Sequence, residues 1–299
     1  MTDTDTEFGQ PDPIYVGIDG SDNALQACKW AAGYAADTTT PLVLVHAMPN
    51  AQWYIGTAAL TNEDVLFEEM RTIGKRVLSV AEALVSSTAP SVEVESVLTR
   101  TPIASFMASV SKNASLVVVG SRSHRGMPDW VLGGEAIRIC NAAHSPVMVW
   151  RENESAETDQ VLPVVVGVDG TETSEHVVTA AFEIARTLGA SVVATHVWDI
   201  GAAVGIGYGA CVIDWDEVRA EHDRQVHDVV DPLCEKFPDV QATVESVEGS
   251  AARHLRTMST RAQLVVVGRH GHSRLGGALL GSVSQNMIHH SACPVLVVH

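Results

Sequence analysis

Basic residues are scarce in this sequence. There are 19 Lys plus Arg against 36 Asp plus Glu, a formal net charge of −17 over 299 residues. Such a balance repels nucleic acid and anionic membrane surfaces, and no block of Lys and Arg interrupts it. Long apolar runs are also missing: none approaches the roughly 18 residues a membrane span requires. The amino terminus, MTDTDTEFGQPDP, is acidic and polar where a secretory leader would be basic and then apolar. The expectation is a cytoplasmic chain with no nucleic-acid or membrane partner and a short disordered tail over residues 1–13. Cysteine is sparse and scattered. Cys28, Cys140, Cys211, Cys234 and Cys293 form no C-x-x-C pair, which leaves most of them as buried small hydrophobes and suggests no zinc or redox site. Histidines are more numerous, with His270 and His272 in one segment and His289 beside His290. None of these four has a carboxylate or cysteine at ligand spacing beside it, so no metal site built from protein side chains is expected.

Two familiar phosphate loops are absent as well. GGALLGS at 276–282 imitates the spacing of a P-loop but carries no Gly-Lys, so no lysine reaches the β- and γ-phosphates. The first strand of neither half leads into G-x-G-x-x-G. It leads instead into Asp19-Gly20 and Asp169-Gly170, each followed by a helical pattern that rules against a hairpin turn.

What is present is a duplication. IYVGIDGS at 14–21 returns as VVVGVDGT at 164–171, and LVLVHA at 42–47 returns as VVATHV at 192–197. LVVVG at 116–120 returns at 264–268, and PVMV at 146–149 returns as PVLV at 294–297. The offset is 150 residues for the first two pairs and 148 for the last two, so one duplication with small insertions or deletions accounts for all four. Between the copies RENESAETDQVLP is polar and aperiodic, as a linker is. The organisation expected is a tail (1–13), a first domain (14–150), a linker (151–162) and a second domain (163–299).

Within each copy, β-branched runs alternate with longer segments of helical period, the signature of an α/β fold with a parallel sheet between helices. Asn23–Ala36 and Glu68–Val85 are amphipathic helices, and Ser282–His290 is a third. Runs such as LVVVG suit central strands buried on both faces.

In residues 265–282, VVVGRHGHSRLGGALLGS, a strand ends in glycine and opens into a glycine-containing segment before a helix. This arrangement lets backbone N–H groups and a helix dipole close around phosphate. Arg269, His270, His272 and Arg274 read as a local basic patch there. The pattern G-x2-G-x9-G-[S/T], present as Gly268, Gly271, Gly281 and Ser282, stands with a V-G-x-D-G-[S/T] first-strand end in each half and a final PVLVV strand. Together these resemble the universal stress protein family, over nearly the whole chain and as two tandem domains. The resemblance implies two open, five-stranded, Rossmann-like parallel sheets with ATP held at the carboxyl ends of the strands, with Mg²⁺ as a companion ion.

Carried onto this sequence, the resemblance places Asp169 near the adenosine end, the main chain of Val197 against adenine, and Gly268, Gly271, Gly281 and Ser282 around ribose and phosphates. Val283 supplies a further N–H, and Gly167, Val168, Val267 and His272 complete the expected set. Asp169 and Ser282 also read as helix caps, and Val197 as a plain strand residue. In the first copy Gly17, Asp19, Ala47, Gly120 and Gly133 are the matching positions. There Ser123 replaces Gly271, Gly134 replaces Ser282, and Pro128, Asp129 and Trp130 add bulk and charge, so weaker binding is expected. Gly249 likewise has no glycine counterpart in LTRTP at 98–102. Beside the expected adenine ends, Gly201–Ala210 reads either as a lid over a ligand or as a mobile surface loop, and Trp53 and Tyr54 either pack over a nucleotide or a partner or cover the domain's own core.

The function implied is ATP-dependent regulation through an unnamed protein partner. A slow ATPase or phosphoryl- or adenylyl-transfer enzyme and a nucleotide-free scaffold are the alternatives. Neither first loop reads S-G-G-x-D-S, and no general base is marked beside the glycine segment. Because each copy ends in an apolar strand, Val147–Val149 and Val295–Val297 are expected to meet within the chain as an internal pseudo-dimer, with a further homodimer open.

Overall fold

The computed structural model describes residues 11–49, 63–121, 134–153, 161–171, 174–198, 215–270 and 279–299. The expected tail, apart from Pro11, Asp12 and Pro13, lies outside them. So do most of the linker, Trp53, Tyr54, residues 201–210, Cys211, Ser123, Pro128, Asp129 and Trp130.

The chain divides into two compact units, residues 1–120 with 143–145, and residues 121–142 with 146–299. In the first, β1 (Ile14–Gly17), β2 (Leu42–Ala47), β3 (Val94–Thr99) and β4 (Leu116–Gly120) form a parallel sheet in the order β3-β2-β1-β4. It carries α1 (Asp22–Thr38), α2 (Glu63–Thr88) and α3 (Ile103–Val110). The buried face of α1 is Ala24, Ala27, Cys28, Ala31, Ala32 and Ala35, nearly all alanine, which brings its backbone close to the sheet. Ser21 caps α1 by accepting from the Ala24 N–H at 3.2 Å. The α2 helix begins one turn before the apolar stripe, where Glu63 and Asp64 suit a helix N-terminus but carry no periodicity.

The second unit contains α4 (Gly134–Ala142), β5 (Val147–Trp150), β6 (Val164–Val168), α5 (Ser174–Thr187), β7 (Val192–Trp198), α6 (Trp215–Lys236) and β8 (Ala242–Glu248). After these come α7 (Ala251–Ser259), β9 (Leu264–Gly268), α8 (Ser282–His290) and β10 (Val295–Val298). Its strands run in the order β5-β10-β9-β6-β7-β8, all parallel except β5. The last strand and last helix of the first repeat therefore sit in the compact unit of the second. Val295 pairs with Val149, Leu296 with Met148 and Val297 with Val147. The meeting of the two terminal strands is as the sequence led one to expect, and their direction is antiparallel.

Leu264, Val265, Val266 and Val267 are all buried, as a central strand with both faces covered requires. The Asp-Gly pairs do not make hairpins. Gly20 (φ 84°) and Gly170 (φ 73°) take the left-handed conformation that turns β1 into α1 and β6 toward α5. Connections from β6 run one way along the sheet through β7 and β8, while β9 and β10 lie on its other side. The switch point is thus between β6 and β9, where an open α/β sheet leaves a crevice at its carboxyl edge.

A candidate nucleotide site at the switch point

The β6–β9 ladder stops early. It pairs Val164 with Leu264, Val165 with Val265 and Val166 with Val266, and then ends before Gly167. The matching ladder of the first repeat continues one step further, to Gly17 opposite Val119. Beyond the last β6–β9 pair lies a cavity of about 340 Å³, within the range of small-molecule sites. Nine sequence-predicted residues line it: Gly167, Val168, Asp169, Val197, Val267, Gly268, Gly281, Ser282 and Val283. Gly271 and His272 lie outside the described residues.

Three helices begin at this cavity. Ser174 opens α5, Ala251 opens α7 and Ser282 opens α8, and all three line it. The first N–H groups of a helix have no partner within it and carry the positive end of its dipole, so their convergence favours an anion without requiring cationic side chains. The described lining contains no Lys or Arg, and its one formal charge is Asp169.

Asp169 follows β6 and is half-buried. Its Oδ1 accepts from the Thr171 N–H (3.0 Å), the Thr171 hydroxyl (2.6 Å) and the Ser174 hydroxyl (2.7 Å). The carboxylate thus fixes the turn into α5 while standing at the cavity wall. Asp19 in the first repeat is exposed and accepts from the Ser21 N–H (2.9 Å) and hydroxyl (2.6 Å). The position of Ser174 is there Ala24. Ser282 is not the cap of α8: that position is Gly281, with φ −62° and ψ 156°. The Ser282 hydroxyl is exposed and has no partner among the described residues.

Two glycines are also required by packing. A Cβ on Gly167 would lie 3.2 Å from Leu255 Cδ1, and one on Gly268 would lie 3.2 Å from Val177 Cγ2 and 3.3 Å from the His270 carbonyl. The matching Gly120 is closed by backbone, since a Cβ there would meet the Ala24 nitrogen at 3.1 Å and its Cα at 3.2 Å. The start of α1 therefore occupies the ground beside β4, whereas only a side chain and a loop carbonyl approach the corresponding glycine of β9. Gly17 and Ala47 end β1 and β2 in the first repeat, and Gly133 lies outside the described residues.

Several lining residues were not anticipated. His196 is buried on β7, and its Nδ1 donates to the Val168 carbonyl at 2.7 Å, which fixes the tautomer because a carbonyl only accepts. Its Nε2 lies 3.0 Å from His222 Nδ1, and the Trp198 indole stacks on His222 at 5.0 Å and 9°. His46 makes the same contact to the Ile18 carbonyl at 2.6 Å. The hydroxyl of buried Ser284 donates to the Gly268 carbonyl at 2.6 Å, clamping α8 to the end of β9. Comparing the copies exposes two of these, for Ser284 and Ser174 correspond to Ala136 and Ala24. The expected basic patch is corrected in part: the Arg269 guanidinium donates to the Asn141 carbonyl and does not line the cavity. His270 lines it, and Arg274 is outside the described residues.

The thiols of the described residues are distributed as small hydrophobes. Cys28, Cys140 and Cys293 are buried and Cys234 is partly so. Among the described residues no group of three His, Cys, Asp or Glu side chains is placed to hold a metal, and no helix is long and apolar enough to cross a membrane.

With this geometry in view, the chain matches the model of the universal stress protein family twice, over residues 11–151 and 161–299. It is 31% identical over 302 residues to a universal stress protein of Mycolicibacterium smegmatis, covering 100% of this chain and 99% of that protein. A universal stress protein of Mycobacterium tuberculosis is 32% identical over 291 residues, covering 95% of this chain and 96% of its own. The crystal structure of a universal stress protein from Archaeoglobus fulgidus has the same fold, with a TM-score of 0.67 at 15% identity over 97% of this chain and 96% of that one.

Proposed function

The chain belongs to the universal stress protein family, and from that premise we propose that it binds ATP in the cavity of the second repeat and acts as a nucleotide-dependent regulatory protein. The observation that carries this reading is the convergence of the α5, α7 and α8 N-termini on one cavity floored by Gly167 and Gly268. Phosphates belong against Gly281, the Ser282 hydroxyl and the Val283 N–H, at the positive end of the α8 dipole. The adenosine end belongs on the other side, between Asp169 and the Val197 main chain. Mg²⁺ would accompany the phosphates as part of the ligand.

Binding is the function we put forward: Asp169, the one carboxylate in the described lining, uses Oδ1 to hold the turn into α5 through three donors. In the first repeat, Gly17, Asp19, Ala47, Gly120 and Gly133 form at most a weaker site, since the start of α1 stands against Gly120. Mass spectrometry of small molecules released from the purified protein tests the proposal. Stoichiometric adenine nucleotide is the expected result, and a single-turnover assay then separates binder from ATPase.

A further inference from the structure

Arg269 follows β9 and Leu280 precedes α8, and both bond to one residue of the first repeat. The Gly281 N–H donates to the Arg269 carbonyl at 2.8 Å, tying the two stretches to each other. The Arg269 guanidinium donates to the backbone carbonyl of Asn141, and the Leu280 N–H donates to Asn141 Oδ1 at 2.7 Å. Asn141 is the penultimate residue of α4, where a helix carbonyl has no partner in its own helix, so Arg269 fills a vacancy that helix geometry creates. Its neighbour Cys140 accepts from His299 Nε2 at 2.8 Å through its carbonyl, and β5, which follows α4, pairs with β10. Asn141 therefore sits on an element anchored on both sides.

We propose that Asn141, contributed by the first repeat, is a positioning residue for the phosphate end of the second repeat's site. The proposal rests on the nucleotide reading above. Leu280 is buried, and its N–H has Asn141 Oδ1 as acceptor. Without that acceptor a buried donor is left unpaired, and the chain entering Gly281 and Ser282 loses the contact that sets its direction. The donors at the start of α8 are aimed by that direction. At the 148-residue offset, Asn141 corresponds to His289 and Arg269 to Ser121, so the two side chains of the brace are not repeated as residue types. Tandem fusion then has a consequence beyond covering a strand edge: it allows one repeat to carry a part that the other repeat's site uses.

The test uses the full chain and two readouts, amide hydrogen exchange at Leu280 and calorimetric titration with ATP and with adenosine. Asn141→Ala is expected to speed exchange at Leu280 and weaken ATP binding by on the order of tenfold, with adenosine binding about unchanged. Asn141→Asp keeps the acceptor and is expected to restore protection at Leu280. Unchanged exchange in Asn141→Ala overturns the proposal, and so does an equal loss of ATP and adenosine affinity. Unsubstituted protein that binds neither ligand overturns the nucleotide reading itself, and this proposal with it.

Discussion

Leu296 lies opposite Met148 in the antiparallel pairing of β10 with β5, and the two are each other's counterparts at the 148-residue offset of the duplication. The flanking pairs, Val295 with Val149 and Val297 with Val147, are exchanged by the same operation. This is the register of a two-fold, self-complementary contact, made here within one chain. Residues 163–299 expressed alone lack β5 and expose β10 as an apolar edge. They are expected to homodimerise through Val295–Val297, and Leu296→Lys is expected to weaken the dimer. Sedimentation checks this, and a monomer at high concentration would mean that the edge is protected in another way.

Gly281 holds the cap position of α8, and the Ser282 hydroxyl beside it is exposed. Ser282→Ala is expected to weaken ATP binding more than AMP binding. Loss of a hydrogen bond to a charged group costs about 1.5–3 kcal/mol, roughly 10- to 150-fold in affinity. Titration with both nucleotides measures the difference, and equal losses would place the hydroxyl away from the distal phosphates.

Burial pushes the thiols of Cys28 and Cys140 up to about 12 and that of Cys293 up to about 11, from an ordinary value of 9.0. These thiols stay protonated in the folded chain where the unfolded chain ionises. Their contribution is thus fully present below about pH 9 and lost as pH rises toward 11–12. Denaturant midpoints are expected to fall over that interval, and alanine at Cys28 is expected to flatten the decline. At pH 8 a thiol reagent should reach Cys28, Cys140 and Cys293 only on unfolding, as peptide mass mapping would show.

His196 donates from Nδ1 to the Val168 carbonyl, so the neutral ring carries its proton on Nδ1 and offers Nε2 to His222. Long-range ¹H–¹⁵N spectra should report that tautomer. A Nε2–H ring at position 196 would contradict the arrangement of the strand ends around the cavity.

Much of the candidate site was legible because duplication and strand endings are local signals. The repeats of LVVVG and PV-x-V located central and terminal strands, and glycine at the end of β9 marked the crevice. Residues whose roles depend on a distant partner were not legible. Ser284 matters because its hydroxyl reaches back to Gly268, 16 positions earlier, and His196 because its ring reaches the end of a neighbouring strand. Arg269 read as part of a phosphate patch from its neighbours in sequence, yet its guanidinium is taken by Asn141, 128 positions away. The comparison of Ser174 and Ser284 with Ala24 and Ala136 was available in the sequence, since it needs only the two copies laid side by side.

Calorimetric titration of the full chain with ATP, repeated on Gly268→Val, tests the central claim most directly. Valine there would drive its side chain against Val177 and the His270 carbonyl at the floor of the cavity. The account predicts one tight site per chain, lost in Gly268→Val at a temperature where circular dichroism shows the variant folded. Two sites of equal affinity, or a tight site that survives the substitution, would contradict it.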